Sequence, residues 1–235
     1  MKLIVMPFAL VGLALIAACD DVQAPSDSLD QDAGINSDAA VGSSRDENFN
    51  CRSTVSGTFA NVFVPAGATC RLQNATVNGN VLARERSRLY VSNTRVAGNI
   101  DGVEARVVQI KGGSLGGSIQ IADGSSPGET GAAVYGGTVL TQGNIQIKKM
   151  STGKIQIADV KLRKGNIKVE ENSTGSRLEV VRNYVAQNIQ VWKNRGGGTK
   201  TVRGNRVLQI IQCKENSRPF TGGPNTASDS EGQCF

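Results

Sequence analysis

Histidine is missing from this chain altogether, and aromatic residues are scarce: one Trp, three Tyr and six Phe among 235 residues. Without imidazole there is no Ser-His-Asp or Cys-His unit, no His-ligated zinc and no side chain whose ordinary titration falls near neutral pH. With so few rings, a core has to be built from Val, Ile, Leu and Ala. The opening apolar run, residues 3–18, would span roughly 24 Å as a helix, short of the roughly 30 Å hydrocarbon layer of a bilayer. The calcium-binding Gly-Gly-x-Gly-x-Asp nonapeptide is absent as well. What is plentiful is glycine, 28 residues, and positive charge, 26 Lys and Arg against 20 Asp and Glu.

Lys2 and the uncharged run behind it read as a signal peptide, residues 1–18. The run ends Leu15-Ile16-Ala17-Ala18-Cys19, which resembles the lipobox of bacterial lipoproteins. That resemblance implies cleavage before Cys19 and a lipid on Cys19 as the membrane anchor. Asp20 and Asp21 resemble an inner-membrane retention signal, a rule that depends on the organism, so the choice of membrane stays open. Residues 20–50 then hold eight acids against one base, Arg45, with no apolar periodicity. Such a segment buries too little surface to offset its ordering entropy. Residues 19–50 are therefore expected to be the lipidated Cys and a disordered tether, reaching on the order of 30 Å as a coil.

From Asn61 the text repeats. Asn61-Val62, Gly79-Asn80-Val81, Gly98-Asn99-Ile100, Gly117-Ser118-Ile119, Gly143-Asn144-Ile145, Gly165-Asn166-Ile167, Asn188-Ile189 and Ile210-Ile211 recur at intervals of 19, 19, 19, 26, 22, 22 and 22 residues. The long interval holds Gly124–Thr130, read as an inserted loop. A second register of apolar pairs accompanies the first: Leu72/Val77, Val91/Val96, Ile110/Leu115, Val134/Val139, Ile157/Leu162, Val180/Val185 and Val202/Val207. Within a repeat the period is two, so Ile145 and Ile147 share a face and Gln146 points the other way. One repeat of about 20 residues cannot bury its own apolar face; stacked repeats close a continuous core. The expected fold is all-β, a single-stranded parallel β-helix over residues 61–213 with about seven rungs and a length of roughly 34 Å, right-handed by the usual rule for parallel crossovers. Asn61, Asn80, Asn99, Asn144, Asn166 and Asn188 form a column expected to be a buried amide ladder. Ser118 is a tolerable member, and Ile210 ends it.

Four cysteines follow Cys19, and an exported chain favours disulfides. Cys70 and Cys213 would stand about seven rungs, roughly 33 Å, apart, whereas a disulfide needs Cα atoms within about 7 Å. The expected pairs are Cys51–Cys70 and Cys213–Cys234, pinning caps over residues 51–60 and 214–235. Such caps would shield the open strand edges of a solenoid.

The run from Asn61 to Cys213, with Cys213-Lys214-Glu215-Asn216, Thr221-Gly222-Gly223-Pro224-Asn225 and Glu231-Gly232-Gln233-Cys234 behind it, resembles a group of bacterial exported proteins with Gly-Asn-Ile-Gln repeats. No established activity comes with that group. More remotely the repeats resemble pectate-lyase-like β-helices in fold and bactofilin-type solenoids in texture, and fold does not carry function.

Charge is the most informative surface feature. Residues 51–235 hold 24 Lys and Arg against 12 Asp and Glu, and 16 of those bases fall from Lys148 onward. Lys161, Arg163, Lys164, Arg182, Arg203 and Arg206 recur at similar places in successive repeats and are expected to form a basic stripe. Such a stripe suits an anionic polysaccharide or envelope polymer, or serves only as a solvated face. Nucleic acid is disfavoured by the exported address and by the lack of aromatic interleaving. The outward Gln column (Gln120, Gln146, Gln190, Gln212, broken by Lys168) reads as an amide ladder, with sugar binding as the alternative. Trp192 and Tyr184 are possible sugar platforms. A lyase would need acids near a base, and Asp101 with Asp123 is the closest such pairing the repeats suggest. No catalytic residue, metal site or cofactor is expected. The reading is a monomeric, lipid-anchored envelope protein acting as a structural or polyanion-binding module. The alternatives are a polysaccharide-active enzyme and a self-assembling scaffold.

Overall fold

The computed structural model describes residues 48–234, all of whose regular elements are β-strands. The signal segment, Cys19 and the tether up to residue 47 lie outside the described residues. The strands form a parallel β-solenoid of about eight turns, each turn built from three walls. The first wall is a ten-stranded sheet running from Asn48–Asn50 to Asp229–Gly232. Nine steps between its strands give a stack roughly 43 Å long. The second wall holds the long strands, such as Ser151–Ala158 and Ser173–Val181. The third holds two-residue strands, from Arg95–Val96 to Arg206–Val207. Strand Thr69–Val77 runs along both of these walls and joins them into one 15-stranded sheet.

The repeat text sets the register of the first wall. Ile100, Ile119, Ile145, Ile167, Ile189 and Ile211 are direct partners on successive turns, and each is fully buried. Burying one such side chain contributes about 1.5–3 kcal/mol, so a column of six is a large term in the stability of the rod. The second apolar register holds with one correction. Leu140, not Val139, is the inward partner of Leu115 and Leu162. Gly136 and Gly137 both take positive φ and add one residue at that corner, which turns Val139 outward.

Three boundaries also move. Asn48–Asn50 pairs in parallel with Asn61–Val64, so the solenoid begins inside the expected tether. Residues 51–60 are not a separate cap, because Thr54–Phe59 pairs in parallel with Thr69–Val77 as a further strand of the coil. The expected cap over 214–235 likewise continues the coil through Phe220–Thr221 and Asp229–Gly232. The expected loop Gly124–Thr130 is instead mostly part of the long strand Ser125–Tyr135, bulged where it pairs with Ser151–Ala158. Both disulfides form as expected, with Cα–Cα distances of 5.3 Å for Cys51–Cys70 and 5.2 Å for Cys213–Cys234. All four cysteines are buried, so each bridge plugs the core at one end.

The Asn column makes the expected ladder. Asn80 donates its backbone N–H to Asn61 Oδ1, Asn99 to Asn80, Ser118 to Asn99, Asn166 to Asn144 and Asn188 to Asn166, all at 2.8–3.0 Å. Ser118 Oγ accepts from the Asn144 N–H, and Ile210 closes the column with its own N–H on Asn188. The column is not buried, however: Asn99 and Asn144 are exposed and the other four are half-buried, because it runs along a corner. The ladder, with the backbone of the preceding turn, explains the Gly that precedes Asn80, Asn99 and Ser118. A Cβ on Gly98 would overlap Asn80 Oδ1 and the carbonyl of Gly79, and Gly79 and Gly117 meet Asn61 and Asn99 in the same way.

The buried amide ladders are elsewhere. At two corners of each turn a residue in the left-handed region swings the chain around, leaving a backbone N–H and a C=O facing inward without strand partners. Water does not reach them, so each needs a protein partner. An Asn on the following turn supplies it. Asn172 accepts from the Met150 N–H and donates to Ile147 O; Asn194 does the same for Asn172 and Val169, and Asn216 for Asn194 and Val191. A second ladder of Asn183, Asn205 and Asn225 serves the other corner. On earlier turns Ala105, Gly124 and Met150 stand one turn apart at the first of these corners, and Thr94 and Thr138 stand at the second.

The left-handed corner residues depart from the usual pattern too. Left-handed positions usually go to Gly and Asn, yet Glu104, Asp123, Lys149, Glu171, Lys193 and Glu215 take positive φ on successive turns. The N–H of each of the first five donates to a carbonyl of the next turn at 2.7–3.2 Å, so the ladder continues through the corner and offsets the backbone cost.

The bulge is held down by one carboxylate. Glu129 bonds the Arg88 guanidinium through both oxygens, at 2.7 and 3.1 Å, and Arg106 at 2.7 Å. Arg88, then Arg106, bring its carboxyl down to about 2 from an ordinary 4.5. Its folded value lies below its unfolded one, so its contribution is present above about pH 4.5 and is lost as the pH falls toward 2. Amide protection at residues 125–130, taken relative to the intrinsic exchange rate at each pH, is expected to fall across that window and to be low already at neutral pH in Glu129→Gln. Protection that is flat with pH and the same in the variant would show that the bulge does not depend on this contact.

Candidate functional site

The six candidate cations do not form one stripe; the walls and corners divide them. Lys161, Tyr184 and Arg206 are register partners on three successive two-residue strands. Lys161 Nζ lies 5.9 Å and Arg206 Cζ 5.7 Å from the Tyr184 ring centroid, one from the preceding turn and one from the following turn. Arg163 and Lys164 follow Lys161–Leu162 directly, at the next corner, and both are exposed. On the two turns beyond, Ala186 and Leu208 stand where Arg163 stands, and Leu208 is 48% exposed. Arg203 ends the strand Thr199–Arg203, three residues before Arg206. Arg182 drops out of the set. It occupies a left-handed corner and is bound through two nitrogens to Asp159 at 2.7 Å each, which holds the Asp159 carboxyl below its ordinary range.

Among the described residues, Lys161, Arg163, Lys164, Arg203 and Arg206 have no carboxylate within 4 Å. The nearby acids are committed elsewhere. Glu179 pairs with Lys154 at 3.0 Å and Arg177 at 3.1 Å, and Glu231 pairs with Lys214 at 2.5 Å. Lys214 keeps the Glu231 carboxyl below its ordinary range. The five free cations thus concentrate positive potential on one edge, across the third wall and its flanking corners.

The other candidates sit on the outer face of the first wall. Gln120, Gln146, Lys168, Gln190 and Gln212 are register partners, as the spacing predicts. Their amides make only short runs: Gln190 donates to Gln212 at 3.2 Å, Gln212 to Glu231 at 3.0 Å, and Gln146 to Glu170 at 2.9 Å. Trp192 stands between Glu170 and Lys214 in its own column, without a second ring beside it. A row of rings that could carry a sugar is therefore not assembled there. Asp101 and Asp123 are not partners. Asp101 pairs in register with Gln120 on the outer face, while Asp123 is a left-handed corner residue like Glu104 one turn before. No group of three His, Cys, Asp or Glu side chains gathers among the described residues.

One buried group was not anticipated. Lys200 points inward, partnered by Leu178 and Phe220 on neighbouring turns, and is fully buried. Its amine donates to Gly196 O and Gly198 O, both at 2.9 Å, and burial lowers its pKa. The local text Gly196-Gly197-Gly198 places those carbonyls over the amine.

The fold and this edge define a class: a parallel β-solenoid, disulfide-closed at both ends, carrying a band of unpaired cations in its C-terminal half. Comparison with protein-family models, with curated proteins and with solved structures found no match to the chain.

Proposed function

We propose that this chain is a lipid-anchored envelope protein, exported and held to the membrane through Cys19, whose solenoid is a non-catalytic module for binding polyanions. The observation that carries this reading is the set of five exposed cations, Lys161, Arg163, Lys164, Arg203 and Arg206, left without acidic partners on one edge. Other exposed bases, such as Arg52, Arg95 and Lys193, also lack an acidic partner; the five are set apart by their grouping on and beside the strands Lys161–Leu162 and Arg206–Val207. Bases kept free at mutual repulsive cost suit a partner that brings the missing negative charge. The ligand class is an acidic glycan or other anionic envelope polymer, and no cofactor is required.

The test is retention of the purified solenoid on immobilised anionic polymers as salt is raised. Reversal of Lys164, Arg203 and Arg206 to Glu is expected to lower affinity by more than about tenfold near 0.1 M salt, where the screening length is about 10 Å. Reversal of Arg52 and Arg95, exposed bases of the other half, is expected to change it little. Equal losses from both sets would show that only net charge matters and would remove the site. Turnover of a polymer by the purified protein would replace the reading with an enzyme.

A further inference from the structure

The edge has a centre. Lys161, Tyr184 and Arg206 stack on consecutive turns, and both cations approach the same phenol ring. Cation–π contact restrains two long side chains that would otherwise be free on the surface. It brings together three hydrogen-bond donors of different kinds: a compact ammonium, a phenolic O–H and a planar guanidinium fork. Neither cation has a carboxylate within 4 Å among the described residues. Lys161 and Arg206 lie two steps apart along the rod, about 9.5 Å between backbones, so one small group between their tips is within reach of both.

The donor set distinguishes between anions. A carboxylate can accept from more than one donor, as Glu129 does from Arg88 and Arg106, but it brings a single negative charge and so neutralises only one of the two cations. A terminal phosphoryl group offers three strong acceptor oxygens and close to two negative charges, whereas a phosphate inside a polymer chain keeps two free oxygens and one charge. Three donor groups and two positive charges match the terminal group in both respects, and a guanidinium binds phosphate in bidentate fashion.

We propose that Lys161, Tyr184 and Arg206 form a clamp for a terminal phosphoryl group, and that the polyanion taken by this edge is a polymer carrying such groups rather than a uronate one. This rests on the polyanion-binding reading and narrows its ligand. Arg163 and Lys164, at the adjoining corner, would meet the next phosphate along the chain. Leu208, exposed beside them, raises a lipid headgroup as another source of the same phosphate. Five cations around one leucine favour the polymer.

The experiment is calorimetric titration of the purified solenoid with three probes at fixed ionic strength. These are sodium polyphosphate, polygalacturonate, and vesicles of phosphatidylcholine containing phosphatidic acid. Polyphosphate is expected to bind best. Tyr184→Phe, which keeps the ring and removes the hydroxyl, is expected to weaken it about three- to tenfold, and Lys161→Gln or Arg206→Gln about tenfold or more. Equal, equally sensitive binding of polygalacturonate would overturn the phosphoryl assignment and leave the edge as a general polyanion site. No binding of either polymer would overturn both. Binding to vesicles alone, abolished by Leu208→Asp, would move the ligand to a membrane and overturn the polymer assignment. Full affinity of Tyr184→Phe for polyphosphate would dissolve the clamp.

Discussion

Asn194→Ala is expected to destabilise the solenoid by about 3–5 kcal/mol. The Asn194 side chain is fully buried and accepts from both the backbone N–H and the side-chain amide of Asn172, at 3.2 and 2.9 Å. It donates to Val169 O and to Asn216 Oδ1, each at 2.9 Å. Truncation leaves a buried backbone N–H and a buried carbonyl with no partner, each costing about 1–3 kcal/mol, and cuts the side-chain ladder in its middle. Asn99→Ala tests the contrast. Asn99 also accepts a backbone N–H, from Ser118 at 2.8 Å, but on an exposed corner where water can replace it. Its loss is expected to cost about 1 kcal/mol or less. Denaturant unfolding of the two variants is the measurement. Equal losses would mean that the inner ladders are no more than the outer one turned inward.

Cys213→Ser is expected to cost about 3 kcal/mol, the amount associated with a closed loop of this size; the bridge joins residues 21 apart. The loss should fall unevenly. In a solenoid each turn contacts only its neighbours, so the end unravels before the middle. Strands Phe220–Thr221 and Asp229–Gly232 are short, and the bridge is what fixes the second of them over the core. Their release bares the edge of Ile210–Lys214, a ready template for another chain. Fast amide exchange confined to residues beyond about Arg203, with a shift to larger species on gel filtration, is the expected signature. A monomer with unchanged unfolding would show that strand pairing alone holds this end.

The parts of the fold that were legible in the sequence are those where one residue type has one task. The Asn-Ile text and its close variants mark a corner amide and an inward branched residue on most turns, and they set the first wall's register from Val62 to Ile211. The apolar pairs gave the other walls, failing only where Gly136-Gly137 lengthened a corner. The inner ladders carry the same 22-residue spacing, Asn172 to Asn194 to Asn216 and Asn183 to Asn205, and lie beside apolar positions that repeat with them, but in sequence an Asn beside a corner reads the same whether it faces water or the core. The site was legible only as composition. That Arg182 belongs to Asp159 while Lys161 and Arg206 meet at Tyr184 depends on which side of a corner each residue falls, and one residue of slippage changes that. Lys200 gave no signal at all, since a lysine in an aliphatic column reads as an outward residue until its partners are known.

The close approach of successive turns at the Asn corner sets how this sequence is free to drift. A side chain at Gly98 would meet both Asn80 Oδ1 and the Gly79 carbonyl of the preceding turn, so shrinking Asn80 does not by itself open that position. Over the smaller Ser118 the next turn still has Gly143, and over Asn166 stands Gln187, whose Oε1 accepts from Asn166 Nδ2. At Gly79, Gly98, Gly117 and Gly165 the limit therefore includes the backbone carbonyl of the preceding turn, a constraint that reaches one turn and no further.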